Sequence, residues 1–312
     1  MPRSITRRPT DRVVVFGSIN LDSSFRVAAL PAPGETVITL SGSKGLGGKG
    51  ANQAVAAARA GAVVTFLGAV GDDDAGRQLL LALDAAGVET DFVRRFVSVD
   101  SGSAMIVVDA IGQNQIVVSS GANALVDQEV AASLAQVIAE ADVVVVQGEL
   151  IEPATSAAIA AADAAGVRVI VNLAPFMELR SALRSADPLV VNEVEASQLL
   201  GVDVDGRSSA LAFGPQLLEF CRTAVITLGA EGAVIIDADG ARHLAAPVVA
   251  DVIDTTGAGD ALVGVLAAAL AHGLPLERAL RAAVAAASQS VTVSGAAESY
   301  PAFALDEIGV AL

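Results

Sequence analysis

The chain has no tryptophan and one tyrosine, and aromatics make up only 3% of its 312 residues. Its core must therefore be built from Ala, Val, Leu and Ile, and hydrophobic residues do reach 53%. Positive charge is also scarce. Nineteen Lys and Arg face 35 Asp and Glu, for a net charge of −16 and a pI near 4.4. That balance argues against a broad basic surface for nucleic acid. An anionic ligand would have to be held by local devices: backbone amides, a helix N-terminus or a metal ion. Cys221 is the single cysteine, so no intrachain disulfide forms. It reads as a buried structural thiol. Only His243 and His272 exist to activate it, which argues against a nucleophilic role. The longest apolar run, Ala261 to Ala271, falls short of the roughly 20 residues of a membrane helix. The basic opening, residues 1–10, has no long apolar stretch behind it, which predicts no secretory signal and a cytoplasmic chain.

Few of the residues are charged (17%), and the composition is that of a chain with a large core. Residues 1–11 read as a flexible tail and 12–312 as one α/β domain. Val13–Ile19 is continuously apolar, as in a strand buried on both faces. Residues 22–46 carry short alternating segments and turn residues, and a hairpin is expected around Ala110-Ile-Gly-Gln-Asn114. These segments predict a small β lid with strands inserted from about 22–46 and 100–120. Helices are expected at 51–60 and 75–86, with a strand at 63–67 between them. From Val126 the alternation becomes regular: helix 126–140, strand 142–147, helix 153–165, strand 167–171, strand 188–191, helix 193–200, helix 208–220 and strand 223–228. A hairpin follows around Asp237-Ala-Asp-Gly240. Helices at 258–271 and 276–288 and a short segment near 303–311 close the chain. Strands alternating with helices imply a doubly wound, mostly parallel sheet flanked by helices, with ligands at the C-terminal strand ends.

Asp254-Thr-Thr-Gly-Ala-Gly-Asp260 precedes the apolar helix and is the strongest chemical signal. The amides of Gly257, Ala258 and Gly259 at a helix start suit an anion such as a developing phosphoryl group. Asp260 beside them suits a proton acceptor. The residues alone leave Asp260 open between helix cap and base. Gly45-Leu-Gly-Gly-Lys-Gly-Ala-Asn-Gln-Ala54 is the second signal. Its Gly45, Gly47 and Gly50 fit G-x-G-x-x-G, with Asp72 at the distance of a ribose-binding acid. No clean buried strand precedes it, which weakens a dehydrogenase reading. Walker A spacing fails as well, at Ser43 and Gly50. Asn20, Asp22, Asn52 and Glu149 stand at strand or helix ends as a ring of hydroxyl-reading groups. Asn192-Glu-Val-Glu195 suits either a helix cap or a water shell around Mg²⁺. Thr227-Leu-Gly-Ala-Glu-Gly232 suits a loop passing a nucleotide.

Gly47-Gly-Lys-Gly-Ala-Asn-Gln-Ala54 and Asp254-Thr-Thr-Gly-Ala-Gly-Asp260 resemble the two signatures of the ribokinase-like carbohydrate kinases. Gly17-Ser-Ile-Asn-Leu-Asp22, Pro33-Gly-Glu-Thr36, Gly121-Ala-Asn123, Asn192-Glu-Val-Glu195 and Ile226-Thr-Leu-Gly229 follow in the family's order. The resemblance implies transfer of the γ-phosphoryl group of ATP to the O5 hydroxyl of ribose, in a homodimer that interlocks through the lid. It implies that Asn20, Asp22, Gly48, Lys49, Asn52 and Glu149 hold the sugar and that Asp260 is the base. Gly257, Ala258 and Gly259 would then form the anion hole. Asn192, Thr227, Gly229 and Gly232 serve the nucleotide on this reading, together with Gly257 and Gly259, and Glu195 supports Mg²⁺ through water. A K⁺ activator is implied at Asp254, Thr256, Ser290, Val293, Gly295 and Ser299, in a loop that departs from the family pattern at Ala297 and Glu298. The alternatives are a kinase of another pentose, sugar or nucleoside, and a non-catalytic sugar-binding regulator.

Overall fold

The computed structural model describes residues 11–179, 181–297 and 300–303. Most of the expected tail, Ser299 and the expected segment beyond Phe303 lie outside these residues. The larger of the sheets has nine strands. From edge to edge they are Gly240–Leu244, Ala233–Asp237, Ala224–Thr227, Ala186–Asn192, Arg168–Asn172, Val143–Gln147, Arg12–Phe16, Val63–Leu67 and Val88–Glu89. The first two are antiparallel additions, and the rest run parallel. A strand with apolar residues at consecutive positions feeds both faces of such a sheet. Val13 and Val15 enter one core cluster, and Val14 and Phe16 enter the other.

Chain order reverses where Arg12–Phe16 lies between Val63–Leu67 and Val143–Gln147. Strands that diverge there leave a crevice at their C-terminal ends. Over it lies a smaller sheet in the order Ser41–Gly47, Asn20–Arg26, Gly102–Val108, Asn114–Ser119. Two helices cross the first core cluster toward the crevice, Lys49–Arg59 and Ala258–Ala271. Both are rich in alanine, so they approach closely. A Cβ on Gly264 would stand 2.4 Å from Gln53 O and 2.5 Å from Ala56 Cβ. A larger residue there would push the helices apart.

Some expected elements differ in detail. The helix expected at 126–140 is two pieces, Gln128–Ser133 and Ala135–Ala139, and buried Leu134 breaks the run between them. The helix expected at 208–220 ends at Phe213 and tightens into a 3₁₀ segment, Gly214–Glu219. Pro215 lacks the N–H needed to carry the α-helical ladder on. The short pair Ala69–Gly71 and Arg94–Phe96 shows too little periodicity to be expected from the sequence.

Candidate active site

The crevice begins where Arg12–Phe16 ends. Asn123 accepts from Ile19 N at 3.1 Å and donates to Ile19 O at 3.1 Å and to Asn20 Oδ1 at 2.8 Å. The loop and the Asn20 side chain are thus fixed from below. Asp22 lies two residues on, on the Asn20–Arg26 strand, and faces Gly47 of its antiparallel neighbour. A Cβ on Gly47 would lie 2.0 Å from Asp22 Oδ2, so only glycine leaves room for this carboxyl. Ser18 donates its hydroxyl to Glu149 Oε2 at 2.5 Å, and Lys49 N donates to the same oxygen at 2.9 Å. Glu149, Ser18 and the start of the Lys49 helix are therefore one unit.

Two buried acceptors in this group have no donor, Asp22 Oδ1 and Asn52 Oδ1. Buried polar atoms nearly always find a partner, so an unpaired pair facing a crevice marks a place for ligand hydroxyls. Burial, then the charges of Glu149 and Asp260, push the Asp22 carboxyl up to about 7. Lys49 is raised chiefly by Asp260, against the effect of its burial.

Asp260 lies in the first turn of the Ala258–Ala271 helix and is 6% exposed. It accepts from Asn52 Nδ2 at 3.0 Å through Oδ2 and from Gln53 Nε2 at 2.9 Å through Oδ1. The helix N-cap is Gly257, in the left-handed region at φ 77. The cap carries no side-chain hydrogen bond, so Asp260 is not spent on capping. First-turn amides have no partner within their own helix. The Ala258 amide closes a turn onto Thr255 O at 3.2 Å.

A cavity of about 470 Å³ opens beside this helix start. Thr227, Gly229, Gly232, Ala258 and Gly259 line one part of it, and Val252, Leu262 and Val291 make it apolar. Asn192 is not among its lining residues. Asn192 and Glu195 instead form a capping box: Glu195 N donates to Asn192 Oδ1 at 2.9 Å, and Asn192 N to Glu195 Oε2 at 2.8 Å. Burial raises the Glu195 carboxyl, opposed by that backbone hydrogen bond and by Lys49.

Asp254 ties two loops together. Its carboxylate accepts from Thr256 N at 2.9 Å, Gly295 N at 3.0 Å and Ser294 Oγ at 3.4 Å. Burial alone would raise this carboxyl, but those hydrogen bonds outweigh it and hold it below the usual range. The Ser290 hydroxyl donates back to Ala287 O at 2.9 Å, and Val293 N reaches Ser290 O at 3.4 Å. Among the described residues no group of three or more His, Cys, Asp and Glu could hold a metal ion by itself.

A family model described as pfkB family carbohydrate kinase matches residues 10–302. The chain belongs to the pfkB family of carbohydrate kinases. Ribokinase of Schizosaccharomyces pombe is 37% identical over 301 residues, which takes in 93% of this chain and 94% of that protein. Deoxyribokinase of Salmonella typhi is 33% identical over 292 residues, with 93% and 95% covered. A solved structure of Arabidopsis thaliana ribokinase complexed with ribose and ATP matches with a TM-score of 0.88 at 31% identity, over 96% of this chain and 98% of that one.

Asn52, Lys49, Glu149 and Asp260 come together in one crevice, and the Thr227–Gly232 loop lines the cavity beside the Ala258 helix start. Several members of the site escaped the sequence reading. Gln53, Gln147 and Asn172 form a buried amide cluster behind Asp260. The signal for two of them was present. Gln147 and Asn172 are the first polar residues after Val143–Val146 and Val169–Val171, and so mark the C-terminal sheet edge. Tyr300, which donates to Gly257 O at 2.6 Å, had no periodic signal at all.

Proposed function

We propose that the chain is an ATP-dependent kinase that phosphorylates the O5 hydroxyl of D-ribose, giving ribose 5-phosphate and ADP. The observation that carries this reading is the pair of unpaired buried acceptors, Asp22 Oδ1 and Asn52 Oδ1, in the crevice that also holds Asp260. Asn20, Asp22, Gly48, Lys49, Asn52 and Glu149 hold the sugar, and missing hydroxyls would strand these groups. O5 attacks the γ-phosphorus in line. The O5–P bond forms, the bond to the leaving ADP oxygen breaks, and the O5 proton passes to Asp260. The amides of Gly257, Ala258 and Gly259 face the developing charge, with Ala258 swinging from Thr255. ATP lies in the cavity along Thr227, Gly229 and Gly232, with Asn192 at its phosphate end.

The donor chemistry fits two ions. An ionised Asp254 between two loops, with Thr256 and the chain at Ser290, Val293 and Gly295, suits K⁺. Glu195, which feels the charge of Lys49, suits a water shell around Mg²⁺, which would neutralise charge on the transferring group. The lid sheet exposes Met105, Ile116, Val117 and Val118. Met105 and Val117 point to one side of that sheet and Ile116 and Val118 to the other. A second copy of the chain interlocking with the lid would cover this apolar surface, as a homodimer in the cytoplasm, where ATP is supplied.

A coupled ADP-release assay tests the reading. With Mg²⁺ and K⁺ present, D-ribose is expected to give the highest kcat/KM among ribose, 2-deoxyribose, hexoses and nucleosides. Replacing K⁺ by Na⁺ is expected to lower the rate. A preference for 2-deoxyribose would move the chain to the activity named for the Salmonella typhi relative, and no ADP release with any sugar would overturn the kinase reading.

Asp22 makes ribose binding depend on pH. The empty fold favours its neutral form, so ionising it costs stability between its unfolded value near 3.8 and about 7. Ribose hydroxyls donate to the carboxylate and favour the charged form, so binding near neutral pH releases a proton. The Kd for ribose is expected to rise as pH falls below about 7, by at most about tenfold per pH unit. Titration calorimetry in buffers of different ionisation enthalpy measures the released proton. Asp22→Asn removes that dependence, and a pH-independent Kd in the unaltered protein would overturn the assignment.

A further inference from the structure

We propose that Gln53 is the positioning residue of the base, holding Asp260 turned toward the sugar. This inference rests on the reading of Asp260 as proton acceptor. Gln53 is fully buried at 0% exposure, so neither solvent nor substrate replaces its bonds. Its Nε2 has two protons and two acceptors: Asp260 Oδ1 at 2.9 Å and Asn172 Oδ1 at 3.0 Å. Its Oε1 accepts from Gln147 Nε2 at 2.8 Å.

These partners settle which way the amide faces. Flipped, Gln53 would set an oxygen against two acceptors and a nitrogen against the Gln147 nitrogen. Asn172 is fixed in turn, because its Nδ2 donates to Val190 O at 3.3 Å. Gln147 and Asn172 are register partners at the ends of adjacent parallel strands, so the cluster stands on the sheet itself. The Gln147-to-Gln53-to-Asp260 chain runs in one direction, and each bond polarises the next. Gln147 keeps its place although its own Oε1 is buried without a partner. That is a standing cost in the core, and an apolar side chain would avoid it.

A second anchor on a carboxylate removes its freedom to rotate. Asn52 holds Oδ2 and is itself a sugar contact, so the anchor on Oδ1 is the one independent of substrate. Gly264 makes the contact possible by letting the two helices approach.

The test is Gln53→Met, which keeps the length and removes the polar atoms. At saturating ribose and ATP, kcat is expected to fall about tenfold, because the base loses the anchor that orients it. KM for ribose is expected to change by less than about twofold, since no sugar contact is lost. A structural role alone would lower Tm and leave the kcat of the folded enzyme unchanged. If Gln53→Met does not fold, Gln53→Met/Gln147→Met strands no amide between the two positions and is read in the same way. An unchanged kcat, with Asp260→Asn inactive, would overturn the role of Gln53 and leave the base intact. An active Asp260→Asn would overturn the base instead.

Discussion

Asp260→Asn is expected to cut kcat by about 10³-fold while ribose still binds. The carboxylate has no second task that would hide the loss. It does not cap its helix, and its two oxygens serve as acceptors for Asn52 and Gln53. The substituted amide keeps one acceptor and turns a donor toward one of those two amide nitrogens. One hydrogen bond is therefore lost, which costs about 1–3 kcal/mol of stability. A fall of several degrees in Tm with a cooperative transition separates this from unfolding. Removing the charge has a second effect at a distance. Asp260 is one of the charges that raise Asp22, so the pH dependence of ribose binding is expected to move to lower pH. Calorimetry then reads binding and its proton release while the coupled assay reads turnover. Near-normal turnover would mean that the sugar hydroxyl loses its proton without Asp260.

The sequence reading and the structure part company in a regular way. Continuous apolar runs such as Val143–Val146 marked the parallel strands, because a strand buried on both faces has few other compositions. Glycine clusters before apolar helices marked the crevice, because close backbone approach needs them. What escaped is set by pairing across the chain. Gln53 sits one residue from Asn52 in an alanine-rich helix, and nothing local distinguishes the one with an unpaired acceptor from the one packed behind Asp260. Only the crossing of two helices at Gly264 decides it. Asn192 and Glu195 show the reverse case. The short signal Asn-x-x-Glu offered both a cap and a metal shell, and the cap is present as a reciprocal pair of hydrogen bonds.

The C-terminal segment supplies the second large effect. Gly257 has φ 77 and ψ 1, a conformation that costs a residue with a Cβ about 1–2 kcal/mol. Here space is missing too. A Cβ would lie 2.4 Å from the Tyr300 hydroxyl and 3.0 Å from Ala296 Cβ. Tyr300 cannot step aside easily. It is 1% exposed, its carbonyl accepts from the Arg59 guanidinium, and Phe303 N donates to Arg59 O at 2.9 Å. Burial raises its phenol, so the hydroxyl stays a donor to Gly257 O. Gly257→Ala is therefore expected to shift the helix start proposed to face the transferring phosphoryl group. A displacement of about 1 Å costs on the order of 10² in kcat, while ribose KM, set on the Lys49 helix and the lid, holds. Gly259→Ala is the matched control, because a Cβ there meets nothing within 4 Å beyond its own turn of helix. It is expected to keep Tm and, lining the cavity, to act on the KM for ATP. Equal Tm and equal kcat for the two variants would show that Tyr300 does not fix the anion site through Gly257.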